Sequence, residues 1–347
     1  MVPRVRAAAL TNYFEVARFV GLDPYQMLRR AGIDPDSVAD PETLIAGNPV
    51  GILFEESAHE SGCLSFGLLM AECRTLPSLG PISLLLAHQG TAREAIEAIV
   101  RYQGLLSETL ALGIEEVGGT SIIHTDFVAG LSRRQAVELV MGLVCRTISE
   151  VVGGRWHPES AHFTHAAPGD LSVHRRIFQC AFVFESDFNG LACPTASLDA
   201  PNPAAETALA RHARRYLEML IPDPADGTIG ERARRSLYLL LPKGRATLEQ
   251  AAGNLGLHPR ALQRLLDKEG RTFATLLNEV RRELALRYLS SSTHSVTQIA
   301  QMAGYASPSS FTRWFAAEFG MAPAQWRAEE RAEAQPALPL AAPMGRG

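Results

Sequence analysis

The sequence predicts a two-domain protein: an α+β domain over residues 1–220, then an all-α domain over 229–329, built from two helix-turn-helix units joined by a connecting helix. Three observations predict it. The first is charge: residues 1–226 carry 17 Lys/Arg against 27 Asp/Glu, whereas 227–327 carry 14 against 7. The second is punctuation: Asp199-Ala200-Pro201-Asn202-Pro203 breaks the chain, and the Pro/Asp-rich run that follows the next helix reads as a linker over 221–228. The third is repetition: one two-helix plan occurs twice, about 48 residues apart. A length of 347 residues suits two domains at roughly 100–200 residues each.

In the first domain, residues 7–20 place Leu10, Phe14, Ala17 and Val20 on one helical face. Asp23-Pro24 starts a second helix, with Asp as cap, Pro at the first position and Gly32 after its end. Helices are expected at 49–60, at two segments of 81–106 joined by Gln89-Gly90-Thr91, and at 132–152. Residues 107–128 alternate as two strands around a Gly118-Gly119 turn. Further strands are expected at 160–164 and 181–185, around a short helix at 170–179. A helix at 204–220 closes the domain. Its Leu209, Tyr216, Leu217 and Leu220 offer either a dimer surface or packing against the same domain. Residues 330–347, rich in Ala, Pro and Glu, are expected to be a disordered tail.

Composition removes several classes. Hydrophobic residues make up 46% and charged residues 20%, as in an ordinary globular chain. No apolar run reaches the roughly 18 residues of a membrane span, and the start lacks a signal-peptide core. Cys63, Cys73, Cys145, Cys180 and Cys193 are scattered and odd in number, so a reduced, cytoplasmic chain is expected. Among His124, His157, His162, His165 and His174 no spacing fits a standard metal-ligand pattern. No GxSxG, phosphate-cradling loop or paired-carboxylate helix motif is present. No enzyme activity, cofactor or metal is therefore expected.

The repeated unit carries the chemistry. Two helices must cross at a fixed angle, with small residues where they touch and polar residues outward on the second. In residues 295–319, Ser295 caps a helix bearing Val296, Ile299 and Ala300, and Gly304-Tyr305 makes the turn. Ser307-Pro308 opens the second helix, with Phe311, Trp314 and Phe315 inward and Ser309, Ser310 and Arg313 outward. Earlier, Leu248, Ala251, Ala252 and Leu255 form the first helix and Gly256-Leu257 the turn. His258-Pro259 then opens a helix with Leu262, Leu265 and Leu266 inward and Arg260, Gln263 and Arg264 outward. Between the units, Leu276, Leu277, Val280, Leu284 and Tyr288 mark a helix over about 273–289, which spans ~26 Å at 1.5 Å per residue. B-DNA repeats a major-groove face every ~34 Å, so such a helix suits readers in successive grooves.

The segment 247–327 resembles the DNA-binding domain of the AraC/XylS family of bacterial transcription regulators. The resemblance lies in Leu262-Gln263-Arg264, Arg281-Arg282-Glu283-Leu284-Ala285, Ile299-Ala300 through Gly304-Tyr305, Phe311-Thr312-Arg313-Trp314-Phe315, and Phe319-Gly320 with Pro323 and Arg327. It departs at His258, where the family has Ser or Thr, and before Gly270, which the family precedes by one more residue. The resemblance implies that Arg260, Gln263 and Arg264 read bases in one groove and Ser309, Ser310 and Arg313 in the next. The chemistry agrees: Arg pairs bidentately with guanine and Gln with adenine. Arg281, Arg282 and Thr312 are expected at the DNA backbone, with Arg281, Arg282 and Arg287 open also to partners within the protein.

Residues from about 14 to 205 resemble the arabinose-binding-like regulatory domain of one subset of that family. The similar stretches include Leu79-Gly80-Pro81-Ile82, Phe163-Thr164-His165 and Arg176-Ile177-Phe178. The resemblance implies a sensor for a small metabolite without naming it or its pocket. The expected partners are double-stranded DNA, a small-molecule effector in the N-terminal domain, RNA polymerase and a second copy of the chain, with no membrane. Two other readings stand beside this one: an enzyme fused to a DNA-binding domain, such as a repair alkyltransferase, and a nonspecific architectural DNA binder.

Overall fold

The computed structural model describes residues 3–128, 133–154, 156–220, 228–291 and 294–334. Of the expected linker only Thr228 is among them, and residues 335–347 of the expected tail lie outside. Strand β1 (Arg4–Arg6) pairs antiparallel with β2 (Leu44–Ala46). The helix expected at 7–20 is broken: a 3-10 turn at Ala7–Leu10 is separated from α1 (Tyr13–Phe19) by Asn12, at φ 63°. Asn is among the few residues that enter the left-handed region at small cost, and periodicity does not register such a break. Leu10, Tyr13, Val16 and Ala17 reach the core from both pieces.

Helix α2 (Pro24–Arg30) begins as its sequence dictates, the Asp23 carboxylate accepting from the Tyr25 N–H at 3.0 Å. Helices α3 (Gly47–Ser61), α4 (Phe66–Glu72), α5 (Ile82–Ala87) and α6 (Ala92–Leu106) follow. The expected hairpin is β3 (Leu110–Val117) and β4 (Thr120–Phe127). Then come α7 (Arg134–Val151), β5 (Ser160–His162), α8 (Ser172–Phe178), β6 (Ala181–Val183), β7 (Gly190–Pro194), α9 (Thr195–Leu198) and α10 (Thr207–Leu220). The larger sheet runs β3-β4-β7-β5-β6, antiparallel except for the β5–β6 pair. Its central strand β7 has no sequence-based forerunner. Four of its five residues are buried, so it lacks the alternation that marks a half-buried strand. Helix α4 escapes notice similarly, being short and almost wholly buried.

The second domain is all helical: α11 (Ile229–Leu240), α12 (Leu248–Asn254), α13 (Pro259–Lys268), α14 (Phe273–Ser291), α15 (Val296–Met302), α16 (Pro308–Phe319) and α17 (Pro323–Ala334). The last helix runs to Ala334, so residues 330–334, expected in the disordered tail, are helical. Two hydrophobic cores form, and the second takes in Ala111 and Val128 from the first domain.

The period of two along a strand explains how β3 serves both cores. Leu110 and Leu112 point into the first. Ala111 points into the second, Gly113 lies under Leu239, and Glu115 pairs with Arg245. A Cβ on Gly113 would stand 2.9 Å from Leu239 Cδ1, so the small residue permits the close approach. On β4, Asp126 sits opposite Ala111 in the ladder and receives Arg287 of α14 in a two-pronged ion pair at 3.0 and 2.7 Å. Burial opposes the Arg287 charge, and attraction to Asp126 more than offsets it, holding the guanidinium protonated.

Candidate nucleic-acid interface and effector cavity

The two helix-turn-helix units match bond for bond at their turns. Gly256 (φ 66°) and Gly304 (φ 74°) occupy the left-handed position after the first helix. The Leu257 N–H donates to the Ala252 carbonyl and the Tyr305 N–H to the Ala300 carbonyl, both at 2.9 Å. This is the Schellman closure, and a residue with a Cβ would strain it. Ala252 and Ala300 are fully buried where the helices meet. Each second helix is capped: Ser307 Oγ accepts from the Ser310 N–H at 3.2 Å, and His258 Nδ1 accepts from the Arg260 N–H at 3.4 Å. The departure at His258 therefore preserves the cap with a different acceptor.

Arg260, Gln263, Arg264, Ser309 and Arg313 are exposed on the outer faces of α13 and α16, and Ser310 is half-buried. Leu262 and Leu266 of α13, and Phe311 and Phe315 of α16, are buried beneath them. Among the described residues of the second domain, most arginines are engaged: Arg234 by Glu283, Arg245 by Glu115, Arg271 by Glu279, Arg287 by Asp126. The guanidinium groups of Arg260, Arg264 and Arg313 have no hydrogen-bond, ion-pair or ring partner among the described residues. An exposed guanidinium with five unused donors is what a base edge or a phosphate requires.

The residues expected at the DNA backbone are engaged within the protein. Arg281 Nε donates to the Ala303 carbonyl at 3.2 Å, and its guanidinium lies 5.1 Å from the Tyr305 ring centroid. Arg282 pairs with Glu318 at 3.0 Å, and the Thr312 hydroxyl donates to the Pro308 carbonyl at 2.9 Å. Ser310 is partly committed too, its hydroxyl 2.9 Å from that of Ser307. Helix α14, at 19 residues, extends ~28 Å between the units.

The first domain holds a cavity of about 140 Å³ walled by β1, α3, α6, β3, β4 and α7. Leu110, Leu112 and Phe127 face it, so the hairpin that touches the second domain on one side lines the cavity on the other. Nothing in the sequence foretells this site, because its walls run from Val5 to Thr147 and only the fold gathers them.

The histidines that invite a metal reading take other roles. His165 and His174 place Nε2 at 3.2 and 3.3 Å from the buried Glu138 carboxylate, which also accepts from Arg134 at 3.0 Å. Burial opposes the Glu138 charge, but these partners outweigh it and hold the carboxyl down at about 2. His162 stacks on Phe188, and His124 meets the same ring edge-on. Among the described residues no group of three or more His, Cys, Asp or Glu is placed to hold a metal ion. Burial pushes all five thiols up, Cys145 to about 12 and Cys180 to about 11, away from thiolate reactivity. No described helix is long and apolar enough to cross a membrane.

Comparison with known proteins agrees with this architecture. The family described as the arabinose-binding domain of AraC transcription regulator, N-term, matches residues 21–202, and a helix-turn-helix domain family matches 251–329. The chain is similar to the HTH-type transcriptional regulator VirS of Mycobacterium tuberculosis, with 31% identity over 328 residues, covering 93% of this chain and 96% of the relative. It is 24% identical over 331 residues to the ornithine utilization regulator of Pseudomonas aeruginosa, covering 94% and 96%. The crystal structure of transcriptional regulator CdpR from Pseudomonas aeruginosa aligns over 91% of this chain and 98% of its own, with a TM-score of 0.44 and 18% identity. The chain belongs to the AraC family of DNA-binding transcription regulators.

Proposed function

We propose that the chain reads two successive major grooves and that an effector in the 140 Å³ cavity sets how well it does so. Arg260, Gln263 and Arg264 contact bases through α13, and Ser309, Ser310 and Arg313 through α16. Arg282 and Thr312 contact the DNA backbone, while Arg281 chiefly holds the turn of the second unit. The observation that carries the proposal is the partnerless, exposed state of Arg260, Arg264 and Arg313. The β3–β4 hairpin supports the coupling, since it borders the cavity on one face and grips α11 and α14 on the other. An effector that favours one placement of this hairpin is expected to change operator affinity by ~1–3 kcal/mol.

Two partners belong to the same reading. One is RNA polymerase, the machine on which a promoter-bound regulator acts. The other is a second copy of the chain. Helix α10 buries Ala213 and Leu217 in its own domain but leaves Leu209, Tyr216 and Met219 exposed at 41%, 44% and 74%. This spacing forms an apolar stripe that a second α10 complements. Sedimentation of Tyr216→Glu against the parent chain tests it; an unchanged oligomeric state removes α10 from the interface.

The central test is anisotropy with a duplex selected by the protein from a random library. Arg264→Ala and Arg313→Ala should each weaken the selected site by ~1–3 kcal/mol and relax preference at their own positions. If both variants retain the parent's sequence preference, the readers are misassigned. Equal affinity of the parent for selected and random duplexes at physiological salt supports the architectural alternative instead.

A further inference from the structure

We propose that the ligand of the cavity is a small organic anion, an apolar body of about ring size bearing one carboxylate, and that Arg74 binds its charge. This rests on the reading of the cavity as the effector site. Arg74 lines the cavity and is 6% exposed. Its Nε and Nη2 donate to the Thr11 carbonyl, each at 3.3 Å, and Nη2 also donates to the Ala9 carbonyl. Nη1 has no partner among the described residues, and it is not among the buried polar atoms sealed from solvent. No carboxylate pairs with Arg74 among the described residues. Burial pulls its pKa down to about 10, opposed by the neighbouring Cys73 thiol and by no carboxylate, and at neutral pH it remains a cation.

The second cavity arginine makes the contrast. Arg6 is buried as well, but Glu42 neutralises it. One net positive charge is left in the cavity wall, and a buried charge without a counter-ion is a standing cost that an anion relieves. Most of the wall is apolar, including Val50, Phe54, Ile99, Leu110 and Leu139. A volume of about 140 Å³ is close to that of an engineered cavity (~150 Å³) that admits benzene, which bounds the apolar body. A sugar does not match this lining. Its hydroxyls need several polar partners, whereas of the four lining hydroxyls Ser107 and Thr109 bond to each other at 2.7 Å and Ser78 accepts from the Thr75 N–H at 3.3 Å, which leaves Thr147. The name of the matching family therefore does not describe this ligand.

The test is calorimetric titration of the full-length protein with benzoate, cyclohexanecarboxylate, hexanoate, benzamide and L-arabinose. At least one carboxylate should bind tenfold or more tightly than benzamide, and arabinose should not bind. Arg74→Gln should erase the preference for charge while leaving benzamide binding within threefold of the parent. Should Arg74→Gln not fold, Arg74→Lys keeps the test open: it should retain a carboxylate preference, reduced from that of the parent. The proposal is overturned if benzamide or arabinose binds as tightly as every carboxylate, if no carboxylate binds, or if Arg74→Gln keeps the full preference. Val50→Phe, which fills the cavity, separates the two levels. If carboxylates bind Val50→Phe as they bind the parent, the cavity reading itself fails. If Val50→Phe blocks benzamide while Arg74→Gln changes nothing, only the assignment of charge fails.

Discussion

The two helix-turn-helix units share a backbone plan and differ in how it is held. In the first, leucines fill the space between the helices, and a His258 acceptor at 3.4 Å caps the recognition helix. In the second, Tyr305, Phe311, Trp314, Phe315, Phe319 and Trp326 form a continuous aromatic cluster, with Phe315 and Phe319 ring centroids 4.4 Å apart. Arg281 reaches across from α14 to brace the turn of that unit. The outer faces differ in the opposite sense. Helix α13 presents two partnerless arginines and a glutamine, while α16 presents one arginine and two short hydroxyls near its own cap. The unit that presents more unengaged donors is packed by leucines, and the unit packed by aromatic rings presents fewer.

This contrast can be broken at four levels. For a single substitution the largest effect should come from the cores. Phe315→Ala should cost ~3–5 kcal/mol and Leu266→Ala ~2–5 kcal/mol in urea unfolding followed by tryptophan fluorescence. If Leu266→Ala costs more, the aromatic cluster is not what stiffens the second unit. Next come the readers. The Arg260→Ala/Arg264→Ala pair should weaken operator binding by ~2–6 kcal/mol and Arg313→Ala by ~1–3 kcal/mol. Equal losses would mean that the reading faces are balanced after all.

The turns follow. Gly256→Ala and Gly304→Ala should each cost ~1–2 kcal/mol of stability for the left-handed backbone. Gly304→Ala should be the worse, because its Cβ would stand 3.0 Å from Leu241 Cδ1 whereas Gly256 faces open space. A reversed order in thermal unfolding would remove the close packing at the second turn from the account. The caps should matter least. Ser307→Ala should lose ~1 kcal/mol. His258→Ser should gain a few tenths of a kcal/mol by bringing in a better acceptor. A loss on His258→Ser would show that the imidazole serves more than the cap.

The parts that local chemistry builds were readable along the chain. Asp23, Ser295 and Ser307 cap the helices that follow them because a short side-chain oxygen at that position meets free N–H groups. Gly256 and Gly304 end helices because only glycine enters the left-handed region freely. What escaped reading depends on distant partners. Arg287 resembles any helical arginine until Asp126, 161 residues away in sequence, faces it. Arg281 and Arg282 read equally as phosphate ligands or as intramolecular partners on a basic helix, and only the fold supplies Ala303 and Glu318 beside them. Helix α4 and strand β7 are too short and too buried to show a period.

The sequence by itself determined the domain order, the duplicated motif and the outward set of Arg260, Gln263, Arg264 and Arg313, because caps, turns and helical periodicity act within a few residues. Tertiary structure alone decided which arginines keep their donors unused. It also decided that β3 turns Leu110 and Leu112 to the cavity and Ala111 and Gly113 to the DNA-binding domain. The alternation of those residues was visible in the sequence. What each face would meet was not, since an apolar side chain seeks burial without specifying its neighbour.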